Sequence, residues 1–122
     1  METLLYREED GTVPLLEWLA ELQAAARLKC YAYIDLLESR GHELRRPVAD
    51  YLRDGIYELR PSYRGQQYRI LYFFAGRQAV VLSHGVVKQR LVPPAEIVRA
   101  VERKAKFLGN PERHAFRPRK TE

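Results

Sequence analysis

A chain of 122 residues, 46% apolar and 30% charged, is sized for one domain with a single hydrophobic core that needs no staples. The lone cysteine, Cys30, excludes an internal disulfide and suits a reducing cytosol, and the first ten residues hold neither a basic leader nor a membrane-length apolar run. The net charge of +5 is lopsided: residues 1–54 carry seven Lys/Arg and eleven Asp/Glu, a net of −4, whereas residues 55–122 carry fourteen and five, a net of +9. The basic half invites a polyanion.

In chain order, Thr3-Leu-Leu-Tyr6 reads as a short edge strand, and Glu8–Thr12 as a turn whose Thr12 caps a helix with Pro14 in its first turn. Leu15, Trp18, Leu19 and Leu22 recur at helical spacing, which predicts an amphipathic helix over 13–24. A second helix follows at once, with Leu28, Tyr31, Ile34 and Leu37 in its pattern and Gly41 as its stop. Two helices so tightly joined predict a helical hairpin. Residues 42–54 read as polar and irregular.

Three strands then follow, at about 56–60, 67–75 and 78–84, with turn signals at Arg64-Gly65 and Ala75-Gly-Arg77. In the middle strand Tyr68, Ile70, Tyr72 and Phe74 share one face, and Arg69, Leu71 and Phe73 the other. That pattern fits a central strand covered by helices on one side and partly open on the other. Pro93-Pro94 opens a last helix, with Ile97, Val101 and Ala105 on one stripe, and Gly109-Asn-Pro111 ends it. The domain is therefore 1–109, and 110–122 a basic, flexible tail.

Zinc spacing is missing, because Cys30 has no partner cysteine and His42, His84 and His114 are scattered. No Gly-rich phosphate loop or Gly-x-Ser-x-Gly elbow occurs, and Cys30 reads as a small core residue. No cofactor is implied. What remains is a cationic set on strands: Arg60, Arg69, His84 and Lys88. An arginine inside strong strand formers needs a counter-ion. Arg60 has Glu58 or Asp54 nearby in sequence; for Arg69, a phosphate from outside would serve if no internal carboxylate does. Internal transfer in an RNA phosphodiester requires removal of the 2′-OH proton, neutralisation of the phosphorane and a proton for the leaving 5′ oxygen. Arginine clamps phosphate bidentately, histidine moves protons, and lysine is a point charge or an acid. Arg64, Arg90 and Lys104 add RNA-binding charge, and Tyr57 a ring on which a base stacks.

The segments Asp54-Gly-Ile-Tyr-Glu-Leu-Arg60, Tyr68-Arg-Ile-Leu-Tyr-Phe-Phe74, His84-Gly85-x-x-Lys88 and Pro94-x-Glu96-Ile97-x-x-Ala100 stand in one order over residues 4–107. In this the chain resembles the RelE/ParE toxin superfamily, and within it the HigB-like, phage-derived host-killing branch. The resemblance implies an α+β, RelE-like fold: an N-terminal helical hairpin on a small curved, mainly antiparallel sheet, with the C-terminal helix along one edge. It also implies a cytoplasmic toxin of a type II toxin–antitoxin module that cleaves mRNA on the ribosome without metal. Its partner would be a cognate antitoxin, a helix-turn-helix protein. By position, Arg60 and Arg69 match the basic residues near the scissile phosphate, and His84 and Lys88 the motif after the last strand. The chain departs from the pattern at Val86, where an aromatic is usual, and at Lys88-Gln89, where two lysines are usual; Arg90 stands as the substitute cation. The ParE side of the superfamily implies a different class, a non-enzymatic inhibitor that poisons gyrase by contact, and a degenerate antitoxin-binding protein is a third.

Overall fold

A computed structural model describes residues 1–88 and 90–118. Among the described residues, seven strands form one open sheet: β1 (Glu2–Tyr6), β2 (Ala49–Arg53), β3 (Ile56–Leu59), β4 (Ser62–Tyr63), β5 (Gln66–Ala75), β6 (Ala79–Lys88) and β7 (Ala115–Phe116). The helices are α1 (Pro14–Ala20), α2 (Ala24–Arg40), α3 (Pro94–Gly109) and the single turn α4 (Pro111–His114). The strand order is β2-β3-β5-β6-β1-β7, with β4 also paired to β5. All pairs are antiparallel except β1 with β6. The α+β class therefore holds, but the chain opens on a strand rather than on a helical hairpin.

The ten-residue hairpin β5–β6 is the spine. Its sequence, rich in Val, Ile, Tyr and Phe, suits a pleated surface covered on both sides. The alternation along β5 is as expected. Tyr68, Ile70 and Tyr72 join Leu15, Leu19, Cys30 and Leu37 in one core, while Leu71 and Phe73 join Ile97, Ala100 and Phe107 in another. The second face is thus not open. The last helix lies across it instead of along an edge, and β5 is buried on both sides from Tyr68 to Phe73.

Several local expectations differ from the fold. Thr3–Tyr6 is an interior strand between β6 and β7. Thr12 does not cap α1; its N–H and hydroxyl both donate to Asp10 Oδ1, and Val13 holds the cap position. The two N-terminal helices dock chiefly on the sheet, α1 on β6 and α2 towards β4. Arg27 ties them by donating from Nε to Leu19 O and from Nη2 to Leu22 O, each at 2.8 Å. In α2 the buried residues are Ala26, Cys30 and Leu37, whereas Leu28 is 68% exposed. Apolar residues surround that helix, so spacing alone could not choose its inner face. In α3 the seam is Ile97, Ala100 and Phe107, with Ala105 outside. Ala49–Arg53, expected to be irregular, pairs with β3 through a tight turn in which Asp54 and Gly55 both adopt positive φ.

The C-terminal segment is not a loose tail over residues 111–116. Arg7 donates from Nε to Arg113 O and from Nη2 to Glu112 O, and β7 pairs with β1. His114 stacks on Tyr6, with ring centroids 5.3 Å apart, and its Nδ1 bonds Arg7 O. These contacts order a sequence whose composition alone reads as a tail. Residues 119–122 lie outside the described part.

Candidate functional site

The α3 side of the sheet gathers three of the four candidate catalytic residues, in two clusters. Both are anchored in the register of β3, β5 and β6. Glu58 stands opposite Leu71, and Leu71 opposite His84, so the three share one row across the strands. At about 4.8 Å per strand, Glu58 and His84 are about 10 Å apart along that row.

The first cluster centres on Glu58, which is 3% exposed. Its Oε2 accepts from Arg60 Nη1 at 2.5 Å, and its Oε1 lies 3.3 Å from Arg69 Nε. Arg69 is 2% exposed, and its Nη1 donates to Tyr68 O at 2.7 Å and towards Gln67 Oε1 at 3.3 Å. The internal carboxylate that Arg69 required is therefore Glu58. The contact is an ion pair without hydrogen-bond alignment, since Arg69 Nε and Glu58 Oε1 are both left unmatched among the buried polar atoms. Burial lowers the Arg69 pKa first, and the neighbouring Arg60 adds to the effect; Glu58 opposes it. The Arg60 side chain is 19% exposed, and its backbone N–H donates to Val48 O at 2.9 Å, so the residue is held at the rim of the sheet. Arg46 lies on the same rim, paired with Asp50 at 2.8 Å. That pairing, with hydrogen bonds from Arg46 and from the Tyr51 N–H, holds the Asp50 carboxyl below its usual range. Arg46 is not among the sequence candidates, because it sits in a polar stretch without strand alternation.

The second cluster depends on a β-bulge. Tyr72 pairs with Leu82 but Leu71 pairs with His84, so Ser83 is an extra residue. Simple alternation would put His84 beside Val80 and Leu82, on the α1 side. The bulge turns it to the α3 side, where Nε2 meets Glu96 Oε1 at 3.1 Å and Nδ1 meets Ser83 Oγ at 2.7 Å. Glu96 is also held by Arg99 at 2.6 Å. His84 is 6% exposed; burial, with Arg103 next, pushes its pKa down to about 4, against the pull of Glu96. The imidazole is neutral at pH 7. Gly85 has a separate reason: a Cβ there would run into the Trp18 ring.

The other candidates are dispersed. Arg64 is exposed in the β4–β5 turn, its guanidinium 5.5 Å from the Tyr63 ring centroid. Arg90 is exposed beyond β6. Lys104, on α3, places its Nζ where a Cβ on Gly55 would stand. Tyr57 faces the opposite side of the sheet from Glu58, half-buried between Tyr51, Tyr72 and Phe74. It packs against the core cluster with part of its ring accessible. The Lys88 backbone pairs with Gln67, and its side chain lies outside the described part. Among the described residues, no cluster of His, Cys, Asp and Glu is placed to hold a metal ion, and no helix is long and apolar enough to cross a membrane.

Residues 17–105, from within α1 to within α3, match the family of phage-derived, Gp49-like proteins (DUF891). The chain belongs to that family. It is a family associated with RelE-type, toxin-like proteins, often in toxin–antitoxin contexts. The matched span holds Arg60, Arg69, His84 and Lys88, and leaves β1 and β7 outside it. No curated protein matches the chain.

Proposed function

We propose that this Gp49-like protein is the toxin of a type II toxin–antitoxin pair, in the HigB-like branch, and that it cuts mRNA on the ribosome as an endoribonuclease. The observation that carries the reading is Arg60: its backbone is held at the sheet rim by Val48, and its guanidinium keeps solvent access while seated on a buried carboxylate. A guanidinium tethered there with solvent access can turn onto a phosphate and favour the charge that develops on a phosphorane. In the proposed reaction the 2′ oxygen attacks phosphorus, the 5′ oxygen leaves, and a 2′,3′-cyclic phosphate remains. Arg60 takes the phosphate, Lys88 takes the 2′-OH proton and returns it to the leaving 5′ oxygen, and the exposed Arg46, Arg64 and Arg90 hold the strand electrostatically. Arg69 and His84, both buried and internally paired, act from beneath the surface. No metal is required by these steps, and a helix-turn-helix antitoxin is the proposed inhibitor.

A second reading, inhibition by contact, is favoured by the same burial of Arg69 and His84. Purified protein added to a reconstituted translation reaction separates the two. Cut mRNA ending in cyclic phosphate supports the ribonuclease. Intact mRNA together with inhibited gyrase supercoiling would move the assignment to the contact inhibitor.

A further inference from the structure

We propose that Glu58 is an exchangeable counter-ion: an incoming phosphate takes Arg60 from it, and Arg69 stays behind to hold the carboxylate's charge. The inference rests on reading Arg60 as the phosphate contact, and it gives Arg69 a different task from the clamp its sequence position implies.

The geometry distributes the roles. The two oxygens of Glu58 are divided, Oε2 to Arg60 and Oε1 to Arg69. The partners differ in freedom. Arg69 is enclosed, and donates to Tyr68 O and Gln67 Oε1 as well. Arg60 is the partner with solvent access, and among the described residues Glu58 is the carboxylate that holds it. Were Arg60 to swing onto a phosphate with no second cation present, a carboxylate that is 3% exposed would be stranded without compensation, which is strongly unfavourable. Arg69 removes that obstacle, because its charge sits 3.3 Å from the other oxygen before and after the exchange. A backbone phosphate offers Arg60 two non-bridging oxygens, a bidentate partner in place of a single-nitrogen contact. Glu58 thus holds Arg60 in place until substrate arrives, and Arg69 sets how tightly. Arg69 and Glu58 are positioning residues; Arg60 is the group that touches substrate.

Three variants give an ordered pattern. The probe is a fluorescein-labelled, fully 2′-O-methylated single-stranded RNA, which supplies phosphates but cannot be cleaved by internal transfer. Binding is read by fluorescence anisotropy, with circular dichroism melts as the folding control. Arg69→Met leaves Glu58 to grip Arg60 alone, and weakens binding by about tenfold. Glu58→Gln releases Arg60 and tightens it by about three- to tenfold, a neutral acceptor being roughly half as strong. Because Glu58→Gln strands a buried guanidinium, the double variant Glu58→Gln/Arg69→Met decides the matter, with both buried charges gone. It binds at least as tightly as wild type if Arg69 acts only through Glu58. Binding by the double variant as weak as that of Arg69→Met would mean that Arg69 itself touches phosphate, and would overturn the proposal. Failure of wild type to bind, or an Arg60→Ala variant that binds as well as wild type, would overturn it too. In the wild-type protein, NMR of arginine Nε–H groups provides a check free of folding: the probe shifts Arg60 and leaves Arg69 in place. The expected binding order without mRNA cleavage by wild type would uphold the exchange and remove the ribonuclease reading, so the two fail separately.

Discussion

Replacing Arg69 by methionine tests the electrostatic centre of the fold. Arg69 is 2% exposed, and its loss leaves Glu58 with Arg60 as its remaining partner. Breaking a buried ion pair by deleting one member typically costs about 3–5 kcal/mol. Arg60 stays on Oε2, so the lower end, about 3 kcal/mol, is expected for Arg69→Met at neutral pH. Methionine keeps the apolar stem, so little of that cost is cavity. Against a typical domain stability of about 5–15 kcal/mol the loss is large, and it corresponds to a melting temperature lower by roughly 10 °C. The companion Glu58→Gln/Arg69→Met removes both charges, and is expected within about 1.5 kcal/mol of wild type. Urea unfolding followed by circular dichroism measures all three proteins. An Arg69→Met variant as stable as wild type would refute the account of the pair, as would a double variant no better than the single one. The same arithmetic qualifies any toxicity experiment: loss of growth arrest in an Arg69 variant reports first on folding, and only with a matched melting curve on catalysis.

Three other outcomes are expected. Gly85→Ala drives a methyl into Trp18 and costs about 1–3 kcal/mol by overpacking; as Trp18 is the sole tryptophan, its fluorescence reports the shift, and an unchanged spectrum and melt would contradict the packing. The His84 pKa is depressed from 6.5 to about 4, so the unfolded chain binds the extra proton first. Stability from His84 is therefore full above pH 6.5 and declines as pH falls towards 4, by up to about 3 kcal/mol. An NMR titration with its midpoint near 6.5 would be inconsistent with the buried Ser83–His84–Glu96 arrangement. His114→Ala removes the Tyr6 stack and the bond to Arg7 O, and is expected to cost about 1–3 kcal/mol and to speed amide exchange in β7; unchanged exchange would argue against docking of that segment.

Much of the fold was legible because strand alternation survives in local sequence. Tyr68, Ile70 and Tyr72 on one face of β5, and Leu71 and Phe73 on the other, are where period two puts them. The Arg60–Glu58 pair was within reach too, since residues two apart on a strand share a face. The Arg69–Glu58 contact was not, because it depends on the β3–β5 register, which no local pattern encodes. The bulge at Ser83 was equally hidden: one extra residue reverses the face of His84 and gives it Glu96 as a partner. The inner face of α2 could not be read from a helix with apolar residues on every side, and β7 is formed by contacts with Tyr6 and Arg7, more than a hundred residues away in sequence. Tyr57, readable from the sequence either as a base-stacking ring or as a core tyrosine, is half-buried against Tyr72 and Phe74.

The central claim, a toxin that cuts mRNA with Arg60 on the phosphate, is tested most directly by induced expression of wild type and of Arg60→Ala in cells, followed by primer extension on a reporter mRNA. The account predicts growth arrest with new cuts inside translated codons for wild type. For a folded Arg60→Ala protein it predicts cleavage lower by about 10²–10³-fold. Arrest with intact mRNA, or equal cleavage by the two proteins, would contradict it.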